Sequence, residues 1–217
     1  MKRFIAVCLL CAMSASMLTS CGKPNLEGRW ELCNADGKEL YVTIKFSDDG
    51  IVRIDGERSK YEVIDKDTVE IDGEECDFEI IDKDESLIYI RELADETEKN
   101  ALDSVASTLM KAANSVVTDL DEYGICYTDS AVICSDSSKD INNNPENAGA
   151  DFDFIESTKT FFSDIDDYDY IIYIEDGYCQ YAAVKKPSDD MVGVYPSGEF
   201  EDMTFDEVYE ELKGWVE

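Results

Sequence analysis

Histidine is absent from this chain of 217 residues. That removes the usual general base near neutral pH and the commonest transition-metal ligand. It also excludes Ser-His-Asp and Cys-His catalysis within the chain. Basic residues are scarce, 19 against 51 acidic, for a net charge of −32. A surface of that sign repels phosphate polymers and anionic lipid headgroups, so no nucleic-acid partner is expected. Membrane attachment, if there is any, has to come from something other than basic side chains. The sequence also lacks a Gly-rich phosphate loop and a pair of Cys-x-x-Cys motifs, and no carboxylate pair stands out among 51 acids. An enzyme is the least supported class, with a carboxylate-based hydrolase as its remaining form.

What is present is globular. Hydrophobic residues make up 44% of the chain and aromatics 11%, so the acids sit on the surfaces of folded units, and the length suits two small domains after an export segment. Met1-Lys2-Arg3 opens residues 1–20 with positive charge, and Phe4 to Met17 is apolar but short for a membrane span. Leu18-Thr19-Ser20-Cys21-Gly22 follows. This segment resembles the signal peptide and lipobox of bacterial lipoproteins, in which the cysteine thiol takes a diacylglyceryl group. The resemblance implies cleavage before Cys21, lipid on Cys21, a tether over residues 21–25, and an extracytoplasmic, membrane-anchored location. More than one acyl chain makes such an anchor persistent.

Cys8 and Cys11 would leave with the signal and Cys21 would carry lipid. Cys33, Cys76, Cys126, Cys134 and Cys179 remain, an odd number that cannot pair completely. An oxidising compartment favours a Cys33–Cys76 bridge and one more among the other three. A reducing one leaves all five as small apolar side chains, the reading preferred.

Residues 26–93 alternate β-rich runs with acidic turns: Asp36-Gly37, Asp49-Gly50, Asp55-Gly56, Asp65-Lys66-Asp67, Asp72-Gly73 and Asp82-Lys83-Asp84. Seven strands of an antiparallel meander or small barrel are predicted, at 30–33, 40–46, 51–54, 60–64, 68–71, 76–81 and 86–90. Gly28-Arg29-Trp30 resembles the Gly-x-Trp opening of lipocalin-like domains. Trp30 reads as a core anchor in preference to a ligand contact.

The period changes after a charged join at 95–99. Leu102, Val105, Ala106, Leu109, Ala113, Val116, Val117 and Leu120 recur at helical spacing and predict one helix over about 96–121. Residues 169–186 form an apolar hairpin around Asp176-Gly177, a short strand is expected within 123–134, and Thr204 to Glu207 is a capping box for a terminal helix. The fold class is α+β, with the long helix packed on an antiparallel sheet over 96–217. This arrangement, with Val192-Gly193-Val194-Tyr195-Pro196, resembles the globular part of type IV pilin-like proteins of Gram-positive anaerobes. The resemblance implies a display or interaction role, and a calcium site in a loop.

Asp136, Ser138 and Asp140 present oxygens at alternate positions, as calcium loops do, but Ile141 stands where such loops need glycine and Asn147 where they need a bidentate Glu. Asp164 and Asp166 lie in a second acidic run. Solvated turns explain both sets as well, a mobile loop in the first case. Calcium is the cofactor these residues would suit, and none is required. Tyr168, Tyr170, Tyr173, Tyr178 and Tyr181 read as cover for a half-exposed sheet, with an aromatic binding face as the alternative. The expected partners are the membrane, through Cys21, and an envelope protein or extracellular ligand.

Overall fold

The computed structural model describes residues 23–149, 152–200 and 202–216, and Cys21 with the expected export segment lies outside them. The chain divides into two compact units between Asp95 and Glu96. Together they are α+β.

In the first unit seven strands run in sequence order: β1 (Gly28–Cys33), β2 (Glu39–Phe46), β3 (Ile51–Ile54), β4 (Glu57–Val63), β5 (Thr68–Ile71), β6 (Glu74–Asp82) and β7 (Leu87–Ile90). Antiparallel pairing joins each to the next, and a short parallel pairing of β1 with β7 closes the barrel, leaving no open edge. The Asp55-Gly56 and Asp72-Gly73 turns hold both residues at positive φ, the conformation that suits a tight hairpin between twisted strands. Alternation directs Trp30, Leu32, Ile44, Phe46, Val69 and Phe78 inward to one apolar core. Trp30 is a core anchor: it is buried, and its Nε1 donates to the Leu26 carbonyl at 2.6 Å.

Helix α1 (Arg91–Glu122) starts five residues earlier than its apolar stripe suggests. It follows β7 directly, no proline or glycine interrupts its first turns, Glu92, Leu93 and Ala94 favour helix, and Leu93 packs against the barrel core. From Leu102 to Leu120 the stripe belongs to the second unit's core.

That unit is built on a sheet of four antiparallel strands, β8 (Ala131–Cys134), β9 (Asp169–Glu175), β10 (Tyr178–Lys185) and β11 (Gly193–Tyr195), in the order β11-β10-β9-β8. One face, with Ile133, Tyr170, Ile172 and Val184, meets the α1 stripe. The other, with Val132, Cys134, Ile171 and Tyr173, is covered by Phe200 and by Val208 and Leu212 of α3 (Phe205–Val216). Each such side chain removed from water contributes roughly 1.5–3 kcal/mol. Tyr173, Tyr181, Phe200 and Trp215 cluster with ring centroids 5.0–6.4 Å apart. A short helix, α2 (Phe154–Lys159), and two 3-10 turns (Ser137–Lys139 and Ser163–Asp167) complete the unit. Among the described residues no helix is long and apolar enough to cross a membrane.

Gly193 sets how closely α1 approaches β11. A Cβ there would collide with the Leu102 backbone, and the next amide, Val194 N, donates to Asp103 Oδ1 at 2.8 Å. Backbone cannot swing aside as a side-chain tip can, so Gly193→Ala should destabilise the second unit by about 3 kcal/mol or more. Urea unfolding followed by Trp215 fluorescence in a Trp30→Phe background reads that unit alone, and an unchanged midpoint would refute the close contact.

Candidate functional site

The acidic loop after β8 is tied to the sheet by a bridge and by side-chain hydrogen bonds among its described residues. Ile141 forms a bridge with Val132 and packs against the sheet, which explains an apolar residue at a position where a calcium loop needs glycine. Asp136 accepts from the backbone N–H and hydroxyl of Ser138, at 3.1 and 2.7 Å. Asp140 receives Cys134 N at 2.8 Å on one oxygen and Asn143 Nδ2 at 3.0 Å on the other. Further along, Asp164 accepts from the Ser163 hydroxyl at 2.7 Å, and Asp166 pairs with Lys159 at 3.0 Å. A calcium ion at these carboxylates would share them with these donors. Among the described residues, no group of three or more acids or cysteines is arranged to hold a metal.

The thiols are likewise accounted for. All five are free, as the preferred reading has them, and the alternative Cys33–Cys76 bridge is not formed. Cys33 ends β1 and Cys76 lies on β6, with β7 between them. Two strand spacings are roughly 10 Å, beyond the Cα separation a disulfide tolerates. Cys134 and Cys179 pack on opposite faces of the second sheet and cannot pair either. Burial pushes Cys76 up to about 11 and Cys134 and Cys179 up to about 12, so these thiols stay protonated at neutral pH. The five tyrosines make no single exposed face: Tyr173 and Tyr181 lie opposite each other under α3, Tyr170 lies on the other side of the sheet, and Tyr178 is exposed. Tyr170 and Tyr173 are three residues apart on a strand, so they point to opposite sides, and both are buried.

What the tertiary structure does assemble is a cleft of about 300 Å³ between the sheet, the 137–139 turn and the first turns of α3. Lys185 at the end of β10 faces Asp169 across the β9 ladder, with Nζ 3.1 Å from its carboxylate and 5.7 Å from the Phe205 ring centre. Lys139 reaches Asp206 at 3.3 Å, which raises its pKa, and lies 5.2 Å from the centre of the Tyr209 ring. The Tyr209 hydroxyl donates to the Lys139 carbonyl at 3.1 Å. Asp136 and Cys134 complete the lining. The cleft therefore offers two ammonium groups, each set against an aromatic ring, beside three carboxylates. That suits recognition of a small charged or zwitterionic group. The cleft's one thiol, Cys134, is held protonated by burial.

Of the residues singled out by sequence, Asp136 lines this cleft, with Cys134 of the five thiols and Asp169 at the end of the second acidic run, whereas Ser138, Asp140, Asp164 and Asp166 do not. Lys139, Lys185, Phe205 and Tyr209 carry no local signal, because what makes them a site is their meeting across sheet and helix. Compared with protein-family models, curated proteins and solved structures, the chain finds no match in any of the three. The lipocalin-like and pilin-like resemblances therefore rest on the residues that carry them.

Two outcomes test this local chemistry. Asp140→Ala leaves the Cys134 amide unpaired and should cost about 1.5–3 kcal/mol in chelator, where no metal contribution is in play. Glu207 accepts from the Thr204 amide and hydroxyl, both at 2.8 Å, and these bonds hold its pKa below the usual carboxylate value. A group with a depressed native pKa stabilises the fold above its unfolded pKa and loses that contribution as pH falls through the native one. The thermal midpoint of Glu207→Ala should trail the parent at pH 7 and converge on it below the ordinary carboxylate range.

Proposed function

We propose that the protein is a non-catalytic lipoprotein, held at the outer face of a bacterial membrane by lipid on Cys21, that presents its second unit to an envelope or extracellular partner. The observation that carries this reading is Leu18-Thr19-Ser20-Cys21 behind a basic and apolar start. Binding is favoured over catalysis by the chemistry of the cleft, whose charges are paired and whose Cys134 thiol is neutral. A small-ligand role for the same cleft is the second reading, favoured by its two lysine–aromatic arrangements.

Expression of the full chain in a bacterium fed labelled palmitate tests the anchor. The parent should incorporate label and partition into detergent, and Cys21→Ser should lose essentially all of it. Equal labelling of the two, or none in the parent, would overturn the anchor.

A further inference from the structure

The barrel gathers on one flank cations that are scattered in sequence. Arg29 faces Lys45 across β1–β2, Lys45 faces Arg53 across β2–β3, and Arg53 faces Arg58 across β3–β4. Residues directly opposite in a ladder share a face, with Cβ atoms about 5 Å apart, and all four side chains are exposed. Lys60, two residues beyond Arg58 on β4, points to the same side. Five of the chain's 19 basic residues thus lie on one flank of one unit.

Like charges placed directly opposite weaken a sheet. In a chain with 51 acids, an alternating row would be the stabilising arrangement, and it is not the one adopted. Arg29 does pair with Glu31 at 2.9 Å, but Lys45, Arg53 and Arg58 make no ion pair among the described residues. At its β4 end the row borders an open groove of about 750 Å³ where Arg58 and Lys60 stand beside Glu62, Glu70 and Asp72, so the uncompensated cations are Lys45, Arg53 and Arg58.

We propose that this row docks the barrel side-on against the anionic phospholipid headgroups of the membrane that holds Cys21. The proposal rests on the lipid anchor. Its occupant follows from charge and from the tether. Lys23 Nζ lies 3.7 Å from Glu62 on β4, so the chain leaves the barrel beside the strand that carries Arg58 and Lys60. Cys21 is two residues earlier, and two residues span at most about 7 Å. Arg29, eight residues from Cys21, can stand no more than about 29 Å from it. Screening limits attraction between such a row and a lipid surface to roughly 8–10 Å, a distance the short tether lets the row reach. The acidic remainder of the barrel is repelled by the same headgroups, so the two signs together select one orientation.

The test uses the full lipidated chain in vesicles of phosphatidylcholine alone and of phosphatidylcholine mixed with phosphatidylglycerol. Acetylation rates of Lys45 and Lys60 are read by mass spectrometry, with exposed Lys83 as reference. Phosphatidylglycerol should slow both lysines about tenfold at low salt, relative to Lys83, and high salt should abolish the difference. Arg53→Gln with Arg58→Gln should remove most of the protection while leaving flotation intact. Equal rates on the two kinds of vesicle, in a chain that floats with both, would overturn the docking row and leave the anchor standing. Failure to float with phosphatidylcholine would overturn the anchor, and the docking with it. The same protection by inorganic phosphate without vesicles would assign the row to a soluble anion and overturn the membrane assignment.

Discussion

Burial of β9 and β10 on both faces is the constraint on which the second unit depends. Ile171, Ile172, Tyr173 and Ile174 run consecutively along β9 and are all buried, so neither face of the sheet can be left to water. One helix is not enough to cover it. The α1 stripe takes one side, and α3 with Phe200 takes the other. This requirement brings the first turns of α3 against the sheet ends, where Phe205, Asp206 and Tyr209 meet Lys139 and Lys185. The cleft is thus a by-product of covering an apolar sheet.

Acidity shapes the chain in two further ways. Many of the acids serve as local acceptors: Asp136 and Asp140 hold the loop after β8, Asp72 receives the Lys60 amide, and Asp153 caps α2. A carboxylate next to free backbone N–H groups finds partners within a few residues. This is why clusters that resemble ion sites in sequence are occupied by the protein's own donors. Some cations also pair locally, as Lys99 does with Asp103, but the two that line the cleft are engaged over long sequence separations, Lys139 with Asp206 and Lys185 with Asp169.

The architecture was largely legible in the sequence because its signals are local. Period-two alternation and Asp-Gly turns placed seven barrel strands within a few residues of where they stand, and a period near four placed α1. The start of α1 was read late because a charged, helix-favouring run with no breaker looks like a linker when its one packing residue, Leu93, is judged alone. The attachment of the loop around Asp136 to the sheet has no local signal. Its bridge through Ile141 depends on Val132, nine residues away, and no spacing rule within the loop announces it.

By itself the sequence determined the net charge, the absence of histidine chemistry, the strand and helix periods, the capping box at Thr204, and the lipobox-like run ending at Cys21. Each is a property of residue type or of spacing within about one turn or one hairpin. The tertiary structure alone decided which like and unlike charges became neighbours. Ladder register lined up Arg29, Lys45, Arg53 and Arg58, strand order kept Cys33 from Cys76, and sheet burial brought α3 to Lys139. Electrostatic neighbourhoods depend on distances of a few ångströms between residues far apart in the chain, and only closing the barrel and covering the sheet sets those distances.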